Sequence, residues 1–532
     1  MTSPASRRSR LIAVLGAAAL AVALAPAAGA VAVPDDDGLA GSELYLNPWS
    51  TTAEAAQDLS GQARDDAQLL ASFPSAEWFT GGTPDQVRAD VDAYVGAADA
   101  RGQMPVVVAY NLPFRDCAQY SAGGARDTAE YKAWIDGIAE GIGDRPATVI
   151  LEPDGLGIIP HYTSPLDGVA DWCQPAELDA DTAADDRFAQ LNYAVDALAG
   201  AEVYLDATHS GWLNVGEAAY RLQAAGVDRA AGFFLNASNY NFTENLTAFG
   251  RWISSCLAYV TEVATGDFGS CGNQYWNGGP ATDWQGTAMS NFGRWSADAA
   301  DPALNTSGVD SRYASILGDV EPSTGFVIDT SRNGQGPWQA PEGVYSDAED
   351  WCNPPERGVG QLPTTDTGAD LVDAYLWIKV PGESDGKCFR GTAGPEDPER
   401  GVEAPAAGQW FAAQARELIE RADPPLEPLT CEVSWTVHGS WPSGFNTQIW
   451  VRNTGDEPID GWSLEWTFAG DQRIANLWSG DAQVDDAHVT VDNLRWNSHL
   501  APGARTTLGF IGMGAADQPW LFHLNGRACT TA

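Results

Sequence analysis

Apolar residues fall into two kinds of pattern along this chain, and the change between them divides it. Over residues 42–423, short β-rich runs recur at 44–47, 105–110, 147–151, 202–206, 232–236, 325–329 and 374–379. Helical periodicity fills the intervals, as at 129–142 and 185–199, so the region reads as βα units around a parallel sheet. Seven such strands in one domain favour a closed barrel over an open doubly wound sheet. Over residues 431–529 the pattern switches to apolar and polar alternation at 432–437, 447–451, 462–468, 488–491 and 506–511, with Gly, Pro and Asn between. The predicted fold is therefore α/β, a distorted (β/α) barrel of about seven parallel strands, followed by an all-β sandwich module. A short Pro-rich linker at 424–430 joins the barrel region (42–423) to the module (431–532).

The barrel runs end in polar residues: Asn47, Tyr110 with Asp116, Glu152 with Asp154, Asp206, Asn236, Asp329, and Lys379 with Glu383 and Asp385. In a barrel the C-terminal ends of the strands converge on one face, where active sites are built. Any single Asp after a strand also suits a helix N-cap. The group points to a site because Trp49, Tyr110, Trp212 and Trp351 accompany it.

Acidic residues outnumber basic ones 72 to 29, for a net charge of −43 over 532 residues. That excludes nucleic acid and an anionic membrane as partners, since both require basic patches. Hydrophobic residues make up 44% and include 21 Trp, so the acidity coats packed domains. Six His with no HExxH pattern leave no basis for a zinc site or a Ser-His-Asp triad. No metal and no cofactor are expected.

Arg7, Arg8 and Arg10 precede an uncharged run that ends in Ala28-Gly29-Ala30, which predicts a signal peptide over residues 1–30 and a secreted protein. Pro26 and Gly29 interrupt that run and weigh against a retained membrane anchor. Eight cysteines in an exported chain imply four disulfides. Proximity and the domain split pair Cys256 with Cys271, Cys352 with Cys388 and Cys431 with Cys529, leaving Cys117 with Cys173. That is one of roughly a hundred connectivities.

Carboxylates gathered without metal ligands suit glycoside hydrolysis, in which one carboxyl stays protonated near neutral pH beside like charges. Here the sequence becomes specific. The runs VAYNLPFRDCAQYSAGG (108–124) and LEPD (151–154), followed in order by DATHSGW, DTSRNG, WCNP and WIKVPGESD, resemble glycoside hydrolase family 6, the inverting cellulases. Gly155 and Thr208 depart from the residues usual in that family at those positions. The resemblance implies Asp154 as general acid and Asp116 as the partner that raises its pKa, with Ser121 and Tyr110 organising water. It implies Asp385 as the disputed base, Asp206 as a support for acid and substrate, and Lys379 and Glu383 as sugar-hydroxyl ligands. It also implies Trp49, Trp212 and Trp351 as stacking platforms, with His209 and Asn236 in the substrate-binding set.

The sandwich resembles a family 2 cellulose-binding module. Trp441, Trp478 and Trp496 lie among Gly, Ser, Pro and Asn and are expected on a flat cellulose-binding surface, whereas Trp435, Trp450, Trp462 and Trp466 are expected in the core. The sequence thus predicts a monomeric, secreted β-1,4-glucanase acting on cellulose and soluble β-1,4-glucan chains. Endo action is favoured by the short segment 121–128, against which stand the longer segment 387–405 and the long insertions 241–324 and 335–369, with a cellobiohydrolase as the alternative and a non-catalytic carbohydrate-binding protein as the remote one.

Overall fold

The computed structural model of the chain describes residues 38–531 apart from Asp486. The signal peptide expected over residues 1–30 lies outside the described residues. Helices α1 (Thr51–Asp58) and α2 (Gln62–Leu70) come first. Then follow β1 (Glu77–Phe79), α3 (Pro84–Asp99), β2 (Val106–Ala109), α4 (Thr128–Ile142), β3 (Thr148–Leu151), α5 (Ala183–Ala197) and β4 (Glu202–Asp206). The domain continues through α6 (Val215–Ala225), β5 (Gly232–Leu235), α7 (Thr243–Ala258), α8 (Ser307–Leu317), β6 (Gly325–Asp329), β7 (Val372–Leu376) and α9 (Ala412–Glu420).

The strands form one seven-stranded sheet in chain order, parallel throughout. No ladder joins β1 to β7, but the gap is bridged. Ala76 N–H donates to the Trp377 carbonyl at 3.0 Å, and the Trp78 indole N–H donates to the Ile378 carbonyl at 2.7 Å. The barrel is thus distorted at one seam. Alternate strand residues bury both faces. Val106, Val108, Ile150, Tyr204, Phe234 and Val327 fill one apolar cluster. Val107, Val149, Leu151, Val203, Leu205, Phe233 and Ile328 pack with the helices in another. Burial on both faces is why these strands read as apolar runs, each such side chain contributing roughly 1.5–3 kcal/mol.

The expected strand at 44–47 does not form. Leu44 makes a single bridge to Met104, and the first barrel strand is instead the three-residue β1. Loops from the strand ends lead into capped helices: Asp127 accepts the Glu130 N–H at 2.9 Å to start α4, and Asn214 accepts the Glu217 N–H at 2.9 Å to start α6.

The module contains β8 (Cys431–Trp441), β9 (Gly444–Asn453), β10 (Ile459–Asp460), β11 (Ser463–Thr467), β12 (Arg473–Trp478) and β13 (Asp481–Asp485). It ends with β14 (His488–Asp492), β15 (His499–Leu500), β16 (Arg505–Met513), β17 (Phe522–Leu524), β18 (Arg527–Ala528) and β19 (Thr530–Thr531). Two five-stranded sheets, ordered β13-β14-β11-β17-β18 and β12-β16-β9-β8-β19, enclose Val433, Phe445, Trp462, Trp466, Phe510 and Phe522. Trp435 packs against that core, but Trp450, expected inside, is only half-buried. Its neighbours Ile449 and Val451 point inward, so Trp450 points outward beneath Arg505 at 4.3 Å. The four disulfides pair Cys117 with Cys173, Cys256 with Cys271, Cys352 with Cys388 and Cys431 with Cys529.

Barrel and module touch directly. Thr531 N–H donates to Gln68 Oε1 at 3.0 Å, Arg101 donates to the Thr467 hydroxyl, and a groove of about 940 Å³ runs between the two domains.

Candidate active site

A cleft of about 970 Å³ opens at the C-terminal ends of the strands. Of the residues expected at the site, Tyr110, Asp116, Ser121, Asp154, His209, Trp212, Trp351, Lys379, Glu383 and Asp385 line it. Trp49, Asp206 and Asn236 do not.

Asp116 follows β2 on a tight loop. Its Oδ2 accepts the Ser121 N–H at 2.9 Å, and Arg115 lies over the Tyr110 ring at 4.6 Å while donating to the Thr80 carbonyl at 2.7 Å. The loop then turns sharply at Gly124, whose φ is +95° and where a Cβ would stand 1.9 Å from the Leu112 carbonyl oxygen. Burial raises the Asp116 carboxyl, against the opposing Ser121 N–H and Arg115.

Asp154 follows β3 in a turn where Glu152 and Asp154 both have left-handed φ, +56° and +63°. Such residues cost of order 1–3 kcal/mol each and persist only where the surroundings fix them. The surroundings do so here. Glu152 is fully buried and accepts the N–H groups of Asn111 and Leu112 at 2.9–3.0 Å. Beyond the acid, Asp206 accepts Leu156 N–H at 3.3 Å and Gly157 N–H at 3.2 Å. The buried Arg187 of α5 holds the carbonyls of Gly155 and Ile158, each at 2.9 Å, and Arg221 of α6 holds that of Leu156 at 2.7 Å. A Cβ at Gly155 would meet the Glu152 carbonyl oxygen at 2.6 Å, so a side chain here would shift this turn. Burial first, then the charges of Asp206, Asp116 and Asp385, pushes the Asp154 carboxyl well above the usual range.

Asp206 therefore faces the loop that carries Asp154 and holds that loop's backbone. Burial lifts its carboxyl to about 6, against three backbone N–H donors. Thr208, whose N–H donates to Asp206 Oδ1 at 2.8 Å, has φ +59°, an outlier for a β-branched side chain.

Asp385 has the opposite environment. Arg332 donates to both of its oxygens at 2.9 Å, Tyr240 O–H donates at 3.1 Å, and Asn353 N–H at 2.9 Å. Burial would raise this carboxyl, but Arg332 and Lys379 overcome it and hold Asp385 below the ordinary carboxylate range. Lys379 and Glu383 stand side by side at 3.8 Å, with Glu383 also accepting from the Thr51 hydroxyl. Burial holds His209 at about 4, so its ring is neutral, and its Nδ1 accepts the Gly211 N–H.

Asn236 is buried away from the cleft, donating to the Asp329 carbonyl at 2.9 Å and accepting from Asn241 N–H at 3.0 Å. Asp329 likewise spends its carboxylate on the N–H groups of Ser238, Ser331, Ile378 and Lys379. Trp49 packs edge-on to Trp520 of the module, with centroids 5.2 Å apart. It misses the cleft because the 44–47 run is no barrel strand. Trp78 of β1 supplies the cleft indole at that side, T-shaped to Tyr110 at 5.5 Å.

The sequence model described as "Glycosyl hydrolases family 6" matches residues 39–422. This chain belongs to glycosyl hydrolase family 6. The "Cellulose binding domain" model matches residues 431–529. The chain is 33% identical over 492 residues to Endoglucanase A of Thermobispora bispora, covering 89% of each. It is 31% identical over 412 residues to a probable 1,4-beta-D-glucan cellobiohydrolase C of Aspergillus niger, covering 72% of this chain and 77% of the relative. Among solved structures it is similar to the endoglucanase Cel6 from Mycobacterium tuberculosis in complex with methyl-cellobiosyl-4-deoxy-4-thio-β-D-cellobioside. The TM-score is 0.50 at 32% identity, covering 72% of this chain and 98% of that one.

This family 6 glycoside hydrolase lines its cleft with further residues that the sequence reading passed over or left open. These are Trp78, Trp172, Tyr240, Phe292 and Trp338, with Arg332 fully buried behind them on Asp385. Tyr240 carried a signal, four residues after the polar end of β5. Trp172 and Phe292 sit in loops without periodicity. On the module, Trp441, Trp478 and Trp496 are 46%, 41% and 69% exposed. Trp478 lies flat across Gly509, where a Cβ would stand 2.6 Å from its ring.

Proposed function

We propose that this protein is a secreted, inverting, endo-acting β-1,4-glucanase that holds cellulose through its C-terminal module. The carrying observation is Asp154, a carboxyl that burial and three neighbouring carboxylates push well above the usual range, in a cleft lined by indoles. In the reaction Asp154 gives its proton to the glycosidic oxygen as the C1–O bond breaks. A water attacks C1 from the opposite face, and its proton passes through water to Asp385. Asp385 already accepts from Arg332, Tyr240 and Asn353, which favours such a relay over direct contact. Tyr110 and Ser121 border the water path beside Asp116, and Lys379 and Glu383 hold sugar hydroxyls. Trp212, Trp351 and Trp78 stack on glucosyl faces.

Two features support endo action. The 121–128 segment lies back on the barrel, with Ala125 N–H bonded to the Asn111 carbonyl at 2.9 Å. None of residues 387–405, all described, lines the cleft. That loop is pinned by the buried Arg390–Asp397 pair at 2.8 Å and touches the β2 loop at one cleft-lining residue, Tyr120, whose ring lies 6.1 Å from that of Phe389. The relative from Thermobispora bispora is named an endoglucanase. The eight cysteines, all paired, suit an oxidising extracellular setting.

Viscosity and reducing ends followed together on carboxymethylcellulose test this reading. A steep viscosity fall per new end is expected. A flat curve, with cellobiose dominating the products from insoluble cellulose, overturns endo action in favour of chain-end attack.

A further inference from the structure

The stretch between α7 and α8 reaches the cleft rim at Met289–Phe292 and also carries aromatic surface that neither cleft nor core uses. Tyr275, Trp276 and Trp284 are 48%, 41% and 58% exposed, and the two indoles are near-parallel, 16° apart with centroids at 6.5 Å. Trp284 has φ +59° and follows Asp283 at +51°. A bulky residue in the left-handed region is strained, and an exposed ring returns little burial in exchange. The loop nevertheless fixes it. Trp284 N–H donates to the Gly279 carbonyl at 2.8 Å, Asn277 N–H to the Thr287 carbonyl at 3.0 Å, and Thr287 N–H to Asn277 Oδ1 at 2.8 Å.

Trp276 lies on bare glycines. A Cβ at Gly278 would stand 2.5 Å from its ring, and one at Gly286 would stand 3.0 Å from its Nε1. The same device holds Trp478 on Gly509 in the module and Trp212 on Gly157 in the cleft, where the distance is 2.7 Å. The exposed pair is continuous with the cleft, because Tyr275 O–H donates to the Trp212 carbonyl at 2.6 Å.

We propose that Trp276 and Trp284 form a second glucan-binding shelf on the catalytic domain, outside the cleft, for the same β-1,4-glucan chain that the cleft cuts. This rests on the glucanase reading of the cleft. The ligand class follows from the chemistry: exposed flat rings among Asn, Gln, Thr and Gly, with the Arg312 guanidinium 5.5 Å from the Trp276 ring centre and Asp283 beside Trp284 to meet hydroxyls, suit the C–H faces and hydroxyl edges of a neutral polysaccharide. A peptide or a lipid surface would call for a deeper groove or a cluster of like charge, and Arg312 and Asp283 are of opposite sign.

The test uses the full chain carrying Trp441→Ala, Trp478→Ala and Trp496→Ala, with and without Trp276→Ala plus Trp284→Ala. Retardation is measured in native gels containing hydroxyethylcellulose, and turnover on cellotetraose. The added pair is expected to weaken retardation by at least about fivefold with cellotetraose turnover unchanged, and Trp276→Phe plus Trp284→Phe is expected to restore retardation. Equal retardation with and without the pair, no retardation of the parent, or a loss matched by an equal loss of cellotetraose turnover overturns the shelf. A parent that is retarded but cuts neither cellotetraose nor polymer refutes the glucanase reading instead, and the gel comparison still decides the shelf.

Discussion

At the barrel mouth Asp385 is buried against a fully buried Arg332, and Arg187, Arg221 and Arg390 are buried with carbonyl or carboxylate partners. In the module the interior is Val, Ile, Leu, Phe and Trp, and the polar contacts His499–Asp460 and, to the linker, Arg527–Glu427 lie in solvent. Both regions offer indoles to a sugar polymer, yet only one takes charge out of water. The difference follows from the tasks. Stacking on a glucan needs a flat exposed ring. Moving a proton at neutral pH needs a carboxyl whose charged form is disfavoured beside another whose charged form is enforced, and that demands buried charge with matched partners.

The contrast breaks most visibly at the acid. Asp154→Asn is expected to lower hydrolysis of soluble glucan by about a thousandfold while the adsorption isotherm on crystalline cellulose stays unchanged. Initial rates and depletion assays read the two arms. Arg332→Met comes next and leaves Asp385 buried without its ion-pair partner, with only Tyr240 O–H and Asn353 N–H still donating to it, at an expected cost of about 3 kcal/mol in denaturant unfolding. Because the folded Asp385 is held below its ordinary value, the pair stabilises the fold above the unfolded pKa and loses that contribution as pH falls through the folded one. Without Arg332 that loss moves to higher pH, and so does the acid limb of the rate profile. An unshifted limb would refute the assignment of Arg332 as the group that keeps Asp385 ionised. The smallest effect belongs to the module. Trp478→Ala is expected to weaken adsorption to crystalline cellulose by about tenfold, with soluble-substrate rates and the unfolding midpoint unaltered.

The barrel was legible because strands buried on both faces announce themselves as apolar runs, and six of them ended on polar groups near the mouth. What the run of residues does not carry is the direction in which those groups point. Glu152, Asp206 and Asp329 satisfy backbone N–H groups, whereas Asp116, Asp154 and Asp385 face the cleft, and that choice is made by the loops' left-handed turns and by Arg187 and Arg221 on distant helices. A three-residue strand such as β1 is too short to show periodicity, so its Trp78 was passed over in favour of Trp49. The strands β12 and β13, mostly exposed, lack the apolar alternation that marked β9 and β16. Trp450 was misplaced for a simpler reason, since its parity relative to Ile449 and Val451 already put it outside.

Residues 424–430 span at most about 25 Å when stretched, and Gly38–Ala532 forms one compact unit in which Trp49 meets Trp520 and Gln68 meets Thr531. A module on a long leash raises the local concentration of chains over an area that its slack defines. A module clamped to the barrel gives the enzyme a footprint instead of a radius. Each landing then presents the cleft at one offset from the bound glucan face, and fresh bonds come within reach when the whole molecule slides or lands again.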